Sequence, residues 1–364
     1  MKIKIITNNN HLKLYKTMKK SILILACASL LACNAAAQDA KTLFEQGKAA
    51  LEKYDKMNAD VMIQKAKDPN AGDAGAAERA AILMEGIDML KKALPLDTVY
   101  EVNKDGTPKI DKKTGAQKFK VKYSKQIQDL LVGHINDLGN VGDSFFQSND
   151  FKNAFVAYGA YADALNSPLA KERNFVLADS VFGQILFMQG YAAYQIQDFN
   201  AGYELSKKAI KLGFNKFGVG DVKNSCIANI VQNYINDKNY AEANAYVDRV
   251  IADENSGFMQ DIKGFVVEQE KGLAEAEPYY KKAMELDANF GNGYFDYGRC
   301  LVDQAQKIID ANPTATNKEL APKLVPIYKQ AVEVLGKAKE LAPDTAAGRL
   351  IDAIDYQLEQ LGAK

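Results

Sequence analysis

Histidine is almost missing from this 364-residue sequence. There are two, and only His134 lies beyond the N-terminal segment. Histidine-based catalytic triads, multi-histidine metal sites and zinc sites need ligands that the body of the chain does not supply. His134 sits in the helical pattern "LLVGHINDL" and reads as a structural or surface residue. Cysteine is also scarce: of four, Cys226 and Cys300 fall in the body of the chain. An exported disulfide scaffold carries more cysteines at closer spacing, so these two read as unpaired. Long apolar runs are lacking too. Ile22 to Ala32, "ILILACASLLA", has 11 residues, too few for a membrane-spanning helix.

Three catalytic or binding motifs fail on inspection. "EVNKDGTPKIDK", residues 101–112, has Glu101, Asn103, Asp105 and Gly106 at calcium-loop spacing, but Lys109 and Lys112 stand where ligands belong. It reads as a hairpin turn. Gly218-Val219-Gly220 is not followed by the lysine and helix start of a phosphate loop. No nucleophile elbow occurs. These absences point away from an enzyme, and no cofactor or metal is expected.

The 11-residue apolar run fits the core of a signal peptide. Lys19 and Lys20 precede it, and Ala35 and Ala37 place a cleavage before Gln38. Residues 1–17 are polar and unlike a signal start, so Met18 is a candidate initiator. Leu30-Leu31-Ala32-Cys33 also resembles a lipobox, which would lipidate Cys33 and bring membrane contact. The first route is favoured. Either route exports the chain, to a periplasmic or outer-membrane-associated location. Removing the six lysines of residues 1–37 leaves 40 basic against 46 acidic side chains, a net charge of −6. A mildly acidic chain is a poor nucleic-acid binder.

What the sequence does have is a repeat. Gly142, Ala154 and Tyr161 are separated by 12 and then 7 residues; so are Gly190, Gly202 and Ala209; Val231, Ala243 and Val250; and Gly264, Ala276 and Ala283. Each set spans two amphipathic helical patterns joined by a turn, "NDF", "QDF", "KNY" or "KGL". A small residue on the first helix lets the second approach, and the pairs then stack to bury their remaining apolar faces. "GLAEAEPYYKKAMELDANF", residues 272–290, belongs to this pattern. Tyr280 takes the large core position between Ala276 and Ala283, and Pro278 falls within about one turn of a helix start.

This spacing, with "YFDYGRCL" at 294–301 and "QAVEVLGKAKELAPD" at 330–344, resembles the tetratricopeptide repeat (TPR) family over about residues 130–343. The chain departs from the family pattern in having no tryptophan. Leu138, Leu186, Ile227 and Tyr294 stand where the family often places one. It also has 33 residues instead of 12 between Gly298 and Ala331. The resemblance implies an all-α, right-handed superhelical solenoid of antiparallel helix pairs.

The expected organisation is a signal segment at 1–37, a degenerate helix pair at 38–97, a β-hairpin insertion at 98–123, about five repeats at 124–344, and a capping helix at 345–364. Eight lysines between residues 104 and 125 make the hairpin a basic projection, either solvated or in contact with an anionic partner or lipid headgroup.

By the resemblance, first helices line a concave groove. The residues expected there for partner binding are Phe146, Gln184, Phe187, Tyr191, Tyr194, Gln195, Gln232, Asn236, Phe265, Phe295 and Arg299. An aromatic and amide-rich groove suits a protein or an extended peptide. The function this implies is a non-enzymatic adaptor of the bacterial cell envelope. The alternatives are a structural subunit of an outer-membrane assembly, or a glycan-binding envelope protein.

Overall fold

The computed structural model describes residues 39–68 and 75–363; the signal segment, with Met18, Cys33 and Gln38, lies outside them. The described residues divide into two compact units, one ending at Lys223 and the other beginning at Asn224.

The first unit opens with α1 (Ala40–Lys67) and α2 (Ala76–Leu96). Two short strands follow, β1 (Val99–Tyr100) and β2 (Phe119–Lys120), then α3 (Ser124–Gly133), α4 (Ile135–Gln147), α5 (Phe151–Asn166), the one-turn α6 (Pro168–Glu172), α7 (Asp179–Gln195) and α8 (Phe199–Lys211). The division falls inside α9 (Val219–Asn236). The second unit continues with α10 (Tyr240–Asp253), α11 (Gly257–Lys271), α12 (Leu273–Leu286), α13 (Gly291–Asp310), α14 (Asn317–Leu341) and α15 (Ala347–Gln360). Consecutive helices pack as pairs: α1 with α2, α4 with α5, α7 with α8, α11 with α12 and α13 with α14. α15 covers α14. The fold is all-α and TPR-like, with one small antiparallel sheet.

The turn signature has a physical reason. Asn149, Gln197 and Lys238 adopt positive φ angles of 59°, 65° and 57°. Such a residue closes a helix by turning the following N–H groups back onto its last carbonyls. Asp150 N–H bonds to the Phe145 carbonyl and Asn149 N–H to that of Phe146, and the equivalent bonds recur at Gln197–Asp198 and Lys238–Asn239. The next residue starts the second helix. Asp150, Asp198 and Asn239 each accept from a backbone N–H three residues on. In "NDF", "QDF" and "KNY" the three letters are therefore a left-handed stop, an acceptor cap and the first apolar residue of the next helix; in "KGL" Gly272 takes the positive φ and no side chain caps the helix.

Pair packing follows the small residues. A Cβ added at Gly264 would lie 2.5 Å from the Tyr280 ring, and one at Gly142 would lie 2.8 Å from the Tyr158 ring. At Gly190 the nearest atoms belong to Leu205 and Ser206, at 3.1 and 3.2 Å. Tyr158, Ser206, Val247 and Tyr280 all fall 16 positions after their repeat's first-helix small residue, and all are buried. Fully burying an apolar side chain of the size of Val247 contributes about 2 kcal/mol. In the last pair the extra residues lengthen both helices: α13 has 20 residues and α14 has 25. Leu335 then fills the gap at Gly298, with its Cδ2 2.5 Å from where a Cβ would stand.

Pro278 differs from expectation. It is the sixth residue of α12, which starts at Leu273 directly after Gly272, whose φ is +102°. It lies beyond the first turn, and the Ala274 carbonyl lacks an N–H four residues on. Cys226 and Cys300 are both buried, and burial pushes the Cys300 thiol up to about 12.

The hairpin is rooted by Asp97. Its carboxylate accepts from the backbone N–H groups of Lys122, Tyr123 and Ser124 and from the Ser124 hydroxyl, at 2.7–3.1 Å. Burial raises its pKa, but these hydrogen bonds outweigh burial and hold it below the usual carboxylate value. His134 stands between α3 and α4 and is buried, so it is not a surface residue. Its Nδ1 lies 2.8 Å from the Leu130 carbonyl, which can only accept, so Nδ1 carries a proton. Nε2 faces Asp55 Oδ1 at 3.3 Å and ties α1 to α4.

Candidate functional site

In the first unit, α4 and α7 leave an open cavity of about 460 Å³ between them. Asn136, Gly139, Asn140 and Asp143 of α4 line it, with Tyr158 and Tyr161 of α5 and Val181, Gln184, Ile185 and Met188 of α7. Asn136, Asn140 and Asp143 are spaced by 4 and 3 residues, which puts them on one helix face. They and Gln184 are exposed. Gly139 and Gly142 let the tyrosines close on α4. Tyr158 donates to Asp143 Oδ1 at 2.6 Å, and Tyr161 donates to Asn136 Oδ1 at 3.4 Å. Burial, then the Asp143 carboxylate, pushes both phenols above their ordinary pKa, so they stay neutral. The wall thus presents amides, one carboxylate and apolar side chains together.

The aromatic stripe on α7 runs alongside. The Phe146 ring lies 5.5 Å from Tyr191 and 5.4 Å from Phe151; Tyr191 lies 6.2 Å from Phe187 and 6.4 Å from Tyr194. Phe146, Tyr191 and Tyr194 are half-buried, and Gln195 is exposed. Phe187 does not line the groove. It is 3% exposed, because its ring packs 5.4 Å from Phe214 beneath the helix connection.

In the second unit, Gln232 donates to Asn236 at 2.9 Å, one helical turn on, and Phe265 is half-buried. Phe295 does not line a groove either. It is 7% exposed, in the apolar core with Tyr280, Leu324 and Leu335. Arg299 is not a free cation either: it forms a two-armed pair with Glu268 and bonds Asp296 at 2.7 Å. Tyr280 donates to the same Glu268 at 2.6 Å. Asp261 stands beside this group with Oδ1 shut from solvent and unpartnered. Burial, then the charges of Asp296 and Glu268, drives its carboxyl well above the usual range, with Arg299 opposing. Burial likewise raises Asp296, against Arg299. Glu268 and Asp296 share one guanidinium here, with the Asp261 carboxyl beside them.

The residue pattern around the repeat gave access to Gln184, but Asn136, Asn140 and the tyrosine pair were missed. The available signal was the tyrosine 16 positions after the first-helix glycine, which meets a first-helix carboxylate in both Tyr158–Asp143 and Tyr280–Glu268.

No protein-family model matches the chain, and no curated protein matches it. Solved structures do. A TPR repeats protein from Bacteroides fragilis NCTC 9343 is 19% identical, over 63% of this chain and 98% of that one, with a TM-score of 0.34. YrrB, described as a TPR protein with an unusual peptide-binding site, is 13% identical over 64% and 97%, with a TM-score of 0.32. A human IFIT1 dimer with m7Gppp-AAAA is 11% identical over 93% and 68%, with a TM-score of 0.33. The class defined by this chain's own helix pairs, turns and glycine contacts is a TPR-like repeat protein.

Proposed function

We propose that this chain is a non-enzymatic, protein- or peptide-binding TPR-like adaptor of the bacterial cell envelope, and that the groove between α4 and α7 takes an extended peptide segment. One observation carries the reading: the open cavity of about 460 Å³ presents exposed Asn136, Asn140, Asp143 and Gln184 beside apolar Val181, Ile185 and Met188. Side-chain amides can both donate to and accept from a peptide backbone, and the apolar floor accommodates its side chains. Tyr191, Tyr194 and Phe146 support the groove through their ring contacts, with part of each ring open to a ligand. The N-terminal apolar run and small residues support export to the periplasm or outer membrane, with cleavage before Gln38.

Purified protein is to be screened against an extended-peptide library and a glycan array. Binding of peptides, weakened about tenfold or more by Asn140→Ala/Gln184→Ala in a protein of unchanged circular dichroism, is the expected result. A glycan signal with no peptide binding would replace this reading with the glycan-binding one.

A further inference from the structure

The hairpin between α2 and α3 carries six large apolar side chains in the open: Val99, Tyr100, Val102, Ile110, Phe119 and Val121 are 48–64% exposed. Val99 and Tyr100 are consecutive strand residues and so point to opposite faces. Among the described residues, none covers either face of the ribbon. Tyr100 and Phe119 pair across it, ring edge to face at 6.3 Å. Apolar surface left open in this way marks a contact to be made. The ribbon also has a fixed root, through the Asp97 hydrogen bonds and the stacking of Phe44 on Tyr123 at 4.8 Å.

Its charge indicates the partner. Lys109 and Lys120 pair with Glu101, and Lys118 with Asp111. Lys104, Lys112, Lys113 and Lys125 are exposed and make no ion pair among the described residues. We propose that this hairpin docks on an anionic lipid bilayer, with its apolar ribbon in the interface and its unpaired lysines on the headgroups. A protein partner would have to close over both faces of a thin ribbon at once. A soluble anion would take the lysines and leave the apolar side chains in water. A fluid interface buries both faces, and aromatic rings beside lysines are the composition of interfacial segments. Each lysine near an anionic leaflet strengthens binding about fivefold. This docking does not depend on lipidation at Cys33.

The sequence has no tryptophan, so Phe119→Trp in the full chain is a single reporter on the hairpin itself, at a 57% exposed position that needs no repacking. With phosphatidylcholine–phosphatidylserine vesicles at low salt its emission should shift to the blue and be quenched by acyl-brominated lipid. Salt should reverse both effects. Adding Lys112→Ala/Lys113→Ala should weaken the response about 25-fold. Three results would overturn the proposal: emission unmoved by anionic vesicles, even if the chain floats with them through its N-terminal apolar segment; an equal response to phosphatidylcholine alone; or a shift with polyglutamate and none with vesicles, which would assign the hairpin to an acidic protein.

Discussion

At Gly264 two helices of one pair meet so closely that an added Cβ would stand 2.5 Å from the Tyr280 ring. Gly264→Leu should therefore lower stability by about 1–3 kcal/mol, measured by denaturant unfolding. The pKa values of two aspartates are shifted in opposite directions. Asp97 has a folded pKa below its unfolded value, so its contribution is present above the usual carboxylate range and lost as pH falls through the folded pKa. Asp97→Ala should cost about 2 kcal/mol at neutral pH and less in acid. Asp261 is the reverse. Its folded pKa is raised, so folding with this group is most favourable below the usual carboxylate range and is weakened as pH rises through the raised value. Asp261→Asn should raise the melting temperature at neutral pH and above, and flatten that loss. A melting temperature unchanged or lowered across this range would mean that the carboxyl is not held against its charge.

At the scale of elements, the turns are tuned but not optimal. Gln197 holds a left-handed conformation that glycine adopts freely, so Gln197→Gly should stabilise the α7–α8 turn by up to about 1 kcal/mol in thermal melts. Deleting residues 103–117 should leave the melt nearly unchanged, because Asp97, Lys122, Tyr123 and Ser124 remain to close the root. The helix pairs were legible in the sequence because close approach demands small residues at fixed spacing, as Gly142, Gly190 and Gly264 show. The faces of single aromatics were not. Phe187 and Tyr191 sit one turn apart on the same stripe, yet only the first is sealed, by Phe214 arriving from the next connection. Phe295 was misplaced too: it lies in a core cluster that gathers Tyr280 of α12 and Leu324 and Leu335 of α14. The long-range charge grouping of Asp261, Glu268, Asp296 and Arg299 likewise depends on stacking that no local pattern encodes.

At the scale of the whole molecule, the chain joins an amide-lined groove on one unit, a carboxylate-rich group on the other, and a basic, apolar hairpin. The proposed adaptor role rests on the first of these. The most direct test of the central claim is site-specific photocrosslinking in the native cell envelope, with a benzophenone amino acid at Gln184 on the groove wall and, as the comparison, at exposed Lys208 on the second helix of the same pair. Mass spectrometry of the products reads the partner. The account predicts discrete polypeptide adducts at Gln184, lost on Asn140→Ala, and none of these at Lys208. No polypeptide adduct at Gln184, or the same adducts at Lys208, would contradict it.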